Sequence, residues 1–368
     1  MTSKARQLAD LGGDTANLED ISSAYSSGAL SNRSKIINGN FDVWQRGTSG
    51  SSGYIADRWT TVSSGSTTAI SRQSFTLGQT DVPDEPIYFH RVVVTSVAGA
   101  GSNAILVQRV EGVRNLAGQA ATLSFWAKAD ASKNIAAEFV QVYGSGGSPS
   151  SATIAIGVTT IALTTAWQKF TVTVNIPSIS GKTLGTAGDD FLSMNFWFDA
   201  GGDFNGRTNS LGQQSGTFDI AQVQLEAGDT ATPFEHRSYG QELALCQRYY
   251  QTTFTTKAPQ NGTSISNVDN YYAPAWMHSS GSATVGSRVE FAVPMRAVPT
   301  ITYYNSTSVS SNSGIWGRYE GSVWQDGFSA MGVHGLSSRG FCPAPYGLSG
   351  NNTTNYLILG GYAAEAEL

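Results

Sequence analysis

Sixteen phenylalanines, fifteen tyrosines and eight tryptophans are the residues of this 368-residue chain whose chemistry stands out. That chemistry is recognition. A flat ring covers the C–H face of a sugar at little entropic cost, and nearby amides and carboxylates take its hydroxyls. Groups suited to breaking bonds are sparse. His90, His236, His278 and His334 are far apart and show no metal-binding spacing. Asp189-Asp190 and Asp84-Glu85 are adjacent acids. Neighbours on a strand point to opposite faces, so neither pair makes a good acid/base couple. There is no Gly-x-Ser-x-Gly elbow and no P-loop, and Gly144–Pro149 is a glycine-rich loop with no helix after it. Cys246 and Cys342 cannot build a disulfide framework or a zinc site, and each has a single arginine near it in sequence. The expectation is a protein that binds without catalysis.

Strands must position these rings. Thr122–Lys128, Phe170–Ile176 and Phe191–Phe198 alternate with period 2, and His90–Val94, Ile105–Glu111, Ala137–Tyr143 and Gly216–Leu225 are further candidates. Gly/Ser-rich turns separate them, a spacing that predicts a sandwich or jelly roll. In Phe191–Phe198, Leu192, Met194, Phe196 and Phe198 form the apolar face, leaving Ser193, Asn195, Trp197 and Asp199 opposite. Trp126 leaves the core face of its strand in the same way. Phe139, Gln141 and Tyr143 share one face of theirs. Trp126, Tyr143 and Trp197 are therefore expected on the polar face of one sheet, with Asn195 beside them, as a sugar platform. The alternative is that a loop or a neighbouring chain covers them, and a one-residue bulge would reverse the assignment.

Composition sets the limits. Lys+Arg number 22 and Asp+Glu 27, a formal net charge of -5, with charged residues at 13%. A mildly acidic chain with scattered cations has no footprint for nucleic acid. No apolar run approaches the ~20 residues of a membrane span, and the N-terminus lacks the apolar stretch of a secretory signal.

The chain divides into four parts. Residues 1–33 are small and polar, either a disordered tail or a docking segment ordered by a partner. Residues 34–235 are the first β domain. Residues 236–251 hold a helix over Tyr239–Tyr250, capped by Ser238, whose stripe Tyr239, Leu243, Cys246 and Tyr250 packs on its own chain or meets symmetry mates. Residues 252–368 form a second β domain. Its aromatics Tyr271, Tyr272, Trp316, Tyr319 and Trp324 lie among Gly, Ser and Asn, either at a binding tip or in that domain's core.

Four segments together resemble the tail-fibre proteins of tailed bacteriophages. They are Ile36–Gly47 (INGNFDVWQRG) with Tyr54–Trp59 (YIADRW); Phe218–Gly228 (FDIAQVQLEAG) with Thr232–Gly240 (TPFEHRSYG); Glu242–Tyr250 (ELALCQRYY); and Phe291–Ile301 (FAVPMRAVPTI). The resemblance implies a mainly β chain, with a jelly-roll sandwich, a short helix and a C-terminal β-sandwich, assembled as a homotrimeric fibre. It implies attachment of a virion, assembled in the host cytoplasm, to host-surface glycan, with residues 1–33 docked on a baseplate or tail protein. It also implies likeness to carbohydrate-binding modules, whose closing strand carries a calcium-binding acid after its isoleucine. Ala221 stands there, leaving Asp42 and Asp219 as oxygen donors for calcium, which takes six to eight. No other cofactor is expected. The rival classes are a structural spacer, or a polysaccharide depolymerase, whose usual long β-helix finds no repeat here.

Overall fold

Two six-stranded antiparallel sheets organise the chain between Ser49 and Ala227. The computed structural model describes residues 33–254, 271–275, 288–305, 317–320, 323–325, 330–346 and 356–368. The strands in chain order are β1 (Ser49–Gly50), β2 (Gly53–Tyr54), β3 (Trp59–Ser64), β4 (Thr67–Ser74), β5 (Tyr88–Thr95), β6 (Asn103–Glu111), β7 (Ala120–Ala129), β8 (Lys133–Val142), β9 (Thr153–Leu163), β10 (Gln168–Asn175), β11 (Phe191–Ala200) and β12 (Gly216–Ala227). The first sheet runs β1-β4-β5-β12-β7-β10 and the second β2-β3-β6-β11-β8-β9. Period-2 alternation buries one face of each. Leu192, Met194, Phe196 and Phe198 of β11 meet Leu123, Phe125 and Ala127 of β7 in one core. Phe125 lies 4.7 Å from Phe196, and Phe198 lies 4.9 Å from Phe218 of β12, ring centroid to centroid, so the sheets interlock through aromatics. The chain is thus mainly β and sandwich-like, with little helix.

His90 sits in this core between Phe41 and Trp44, and burial pushes its pKa down to about 3. It is a neutral packing residue.

A short helix, α1 (Asn205–Thr208), lies between β11 and β12, and α2 (Tyr239–Gln247) follows the sandwich. Ser238 caps α2 through a reciprocal box with Gln241. The helix is shorter than its sequence stripe. Tyr250 leaves it to open β13 (Tyr250–Thr252), because it pairs with Glu365 of the last strand. The remaining strands are β14 (Tyr271–Ala275), β15 (Val289–Glu290), β16 (Thr300–Asn305), β17 (Gly317–Glu320), β18 (Val323–Gln325), β19 (Ala330–Ser337), β20 (Gly340–Tyr346) and β21 (Tyr356–Glu365). Strand β21 is the spine of this second unit, pairing with β13 and β14 along one edge and β16 and β17 along the other. Strands β15, β20 and β19 make a small second sheet. Val289, Phe291, Met295, Tyr303, Phe341 and Tyr362 are the core between them.

Candidate functional site

The expected platform of Trp126, Tyr143 and Trp197 is not built. Trp197 and Asn195 lie on the outer face of the second sheet, where β11 pairs with β8 by Asn195↔Glu138 and Trp197↔Ala136. Trp126 lies on the outer face of the other sheet, opposite Ala221 and Lys169. Tyr143 and Gln141 belong to the opposite parity of β8, the one that carries Phe139 into the core. Tyr143 is buried at the end of the sandwich, where its hydroxyl is 2.7 Å from Thr153 Oγ1.

Trp197 is fully buried because the turn Gly202–Phe204 and helix α1 close over it. Phe204 packs 5.0 Å from its ring, and the Arg207 guanidinium lies 4.9 Å over it. Glu138, also fully buried, fastens this cover. Its carboxylate accepts from Arg207 Nε and Nη2 at 2.7 and 2.8 Å, Trp197 Nε1 at 3.0 Å, Asn195 Nδ2 at 3.1 Å and the Ala155 amide at 2.9 Å. Asn195 Oδ1 in turn accepts from Ser193. The amide meant for a sugar is therefore consumed inside the protein. Replacing Glu138 with alanine strands the Ala155, Asn195 and Trp197 donors and the Arg207 cation, and should lower unfolding free energy by about 3 kcal/mol. A urea midpoint within error of the parent would refute that account.

A different platform occupies the outer face of the first sheet. Phe75, Phe89 and Trp167 cluster there, with ring centroids 4.8–5.2 Å apart. The Lys128 ammonium lies 5.2 Å over the Trp167 ring. Ala221 shares the face yet is fully buried, so the surrounding rings roof it over. Trp126, Trp167 and Phe75 remain half-buried. Polar and charged groups flank them. Arg91 holds Asp219 through Nε and Nη2 at 2.7 and 2.8 Å. Lys169 stands opposite Trp126. Sequence reasoning named Trp126 but missed Trp167, Phe75 and Phe89. The usable signal was parity: Trp167 and Lys169 share the face of the β10 alternation opposite Phe170.

Of the C-terminal candidates, Trp316 lies outside the described residues. Tyr271 and Tyr272 lie on β14, in register with Gly360 and Leu359, and Tyr319 is opposite Trp324 on the β17–β18 ladder. The docking expectation for residues 1–33 falls, Arg33 apart, outside the described residues.

The segments that carried the family resemblance meet at one joint between sandwich, helix and second unit. The Asn38 amide donates to Glu242 of α2, while the Asn38 side chain bonds Val43 and the Asp57 carbonyl. Arg237 donates to the Ile36 and Ser34 carbonyls at 3.0 and 2.8 Å. Arg58, almost fully buried, pairs with Glu367 and stacks 3.5 Å from the Tyr249 ring centroid. Arg46 stacks 3.7 Å from that of Tyr250 and pairs with Glu367 at 2.9 Å. Arg296 donates to the Ala366 and Glu367 carbonyls. In α2, Tyr239 is exposed, Leu243 is half-buried and Cys246 is buried against this joint, where desolvation pushes its thiol pKa well up. The stripe faces the chain's own sandwich at Cys246 and Tyr250 and leaves Tyr239 to solvent.

Asp57 makes the joint sensitive to pH. Burial raises its pKa from 3.8 to about 6, against the opposing pull of Arg46 and two bonds from Gln45. The folded state then holds a proton that the unfolded chain has lost between those values. By linkage, this group's contribution falls as pH rises from about 4 to about 6, by up to about 3 kcal/mol. Melting temperatures across that window should decline with rising pH more steeply in the parent than in Asp57→Asn. Equal slopes would contradict it.

The calcium pair is not assembled. Asp219 is bound to Arg91, with the Lys128 ammonium 3.9 Å away, and no cluster of three acidic, histidine or cysteine ligands occurs among the described residues. Asn40 Oδ1 and Asp42 Oδ1 are buried without hydrogen-bond partners, but two oxygens fall short of calcium's six to eight.

No family model matches this chain, and no curated protein matches it. Among solved structures it is similar to the enzymatically active domain of bacteriophage CBA120 tailspike protein 4, at 12% identity and TM-score 0.31, over 53% of this chain and 22% of that one. It is similar to a family 11 carbohydrate-binding module from Clostridium thermocellum in complex with a mixed-linked tetrasaccharide, at 14% identity and TM-score 0.29, over 51% and 98%. A putative sugar binding protein from Bacteroides thetaiotaomicron matches at 14% identity and TM-score 0.31, over 53% and 100%.

Proposed function

We propose that this chain is a tail-fibre protein of a tailed bacteriophage that holds host-surface polysaccharide without cleaving it. The observation that carries the binding half is the half-open aromatic face around Trp126 and Trp167, flanked by polar groups able to take hydroxyls. The four tail-fibre-like segments support the fibre half. Binding without catalysis is supported by the buried carboxylates Glu138, Asp199, Asp219 and Glu226, each engaged by neighbouring donors within the sandwich. Residues 1–33 would dock on the tail, and three copies would multiply weak sites through high effective concentration.

A second reading is favoured by one observation: the segments that carry the resemblance build much of the joint, and none of the rings Phe75, Phe89, Trp126 and Trp167 belongs to them. A spacer needs only that joint, with receptor binding placed on another virion component.

Glycan-array binding separates the two, and release of reducing ends from host capsule or lipopolysaccharide would refute the non-catalytic reading. Light scattering should return three times the 38.9 kDa protomer mass. A single protomer would overturn the trimer.

A further inference from the structure

The charges around Trp126 and Trp167 are unequally placed. On the strands of this face the cations reach solvent. The Lys128 side chain is 29% exposed and that of Arg91 32%, and Lys169 is exposed. The carboxylates do not. Asp219 is buried under its two bonds from Arg91. Glu226, the other acid of these strands among the described residues, is buried where it accepts from the Thr232 amide at 2.9 Å and from Thr232 Oγ1 at 2.7 Å. Asp219 cancels one of three positive charges. Two remain at the rim of the rings, in a chain of formal net charge -5. Among the described residues, no carboxylate pairs with Lys169, and Lys128 reaches Asp219 only at 3.9 Å.

A neutral sugar stacked on these rings gains nothing from that excess. A charged one does, because an ammonium beside an apolar ring is partly stripped of water and attracts an anion more strongly there than in bulk. Lys169 stands opposite Trp126 and Lys128 over Trp167, so each ring has a cation within reach of a substituent on a stacked sugar. We propose that this face selects an anionic polysaccharide, whose carboxylate, phosphate or sulfate groups fall on Lys128 and Lys169 while its rings stack on Trp126 and Trp167. The inference rests on the reading of this face as a glycan site.

The test is affinity electrophoresis of the full chain in four gels: polygalacturonate, its methyl ester, dextran sulfate and dextran. The methyl ester keeps the backbone of polygalacturonate and removes its charge. At least one acidic gel should retard the parent about tenfold more strongly than its neutral counterpart. Lys128→Gln with Lys169→Gln should erase that difference, and Lys182→Gln with Arg114→Gln, altering exposed cations elsewhere, should not. Three results overturn the inference. Equal retardation in acidic and neutral gels that survives the Lys128/Lys169 pair but is lost in Trp126→Ala removes the anion preference and leaves the platform standing. An equal loss from the Lys182/Arg114 pair reduces the effect to diffuse attraction. No retardation in any gel takes down the platform and the anion preference together.

Discussion

Replacing Trp126 and Trp167 together with alanine should weaken polysaccharide binding about a hundredfold while leaving the fold intact. Each ring offers a half-open apolar surface on one face of the first sheet. A stacked sugar ring is worth on the order of 1.4 kcal/mol, which is tenfold in affinity per ring. Neither indole is in the sandwich core, so that core survives their loss. In a trimer the loss compounds, because avidity depends on several sites being filled at once. Retardation in polygalacturonate and dextran sulfate gels, read beside the urea midpoint, checks this. Unchanged retardation with an unchanged midpoint would move binding to the second unit, where β17 and β18 place Tyr319 opposite Trp324.

Gly39→Ala should be strongly destabilising although it adds a single methyl group. Gly39 lies against the bulge of β12, its carbonyl accepting from the Val223 amide at 2.9 Å. A methyl group there would penetrate the Val223 carbonyl oxygen, which is backbone and cannot swing aside. The neighbours cannot yield either. Asn38 and Phe41 both hold left-handed backbone, and the Asn38 side chain is fully bonded. A cost of about 4 kcal/mol or more is expected, much of the stability of an ordinary domain. Gly202→Ala, where an added methyl meets nothing, is the control and should cost under about 0.5 kcal/mol. Equal urea midpoints for the two variants would sink the explanation.

The β character of the chain was legible because its strands alternate cleanly. Phe191–Phe198 and Thr122–Lys128 each carry one apolar and one mixed face, and both turn the apolar one inward. The site was harder to see, for three physical reasons. Period 2 says which side chains share a face but not which sheet owns the strand, so Trp126 and Trp197 were expected together and lie on opposite sides of the sandwich. Strand β8 is apolar on both faces, which hid the inward parity of Phe139, Gln141 and Tyr143. The cover over Trp197 comes from a short turn and helix with no amphipathic pattern. Motif residues such as Asn38, Arg58 and Glu242 were visible as a resemblance. Their work in the joint was not, because each depends on partners hundreds of residues away.

That separation has a consequence for synthesis. Arg58 and Glu367 are 309 positions apart, yet each is the other's buried partner. On the ribosome the sandwich can condense early, since its strands are complete by Ala227. Arg58 must then wait for its carboxylate until almost the whole polypeptide has emerged. The latch between the two halves is therefore left to the end of synthesis, and a nascent chain stalled short of residue 367 carries a finished module with an unlatched end.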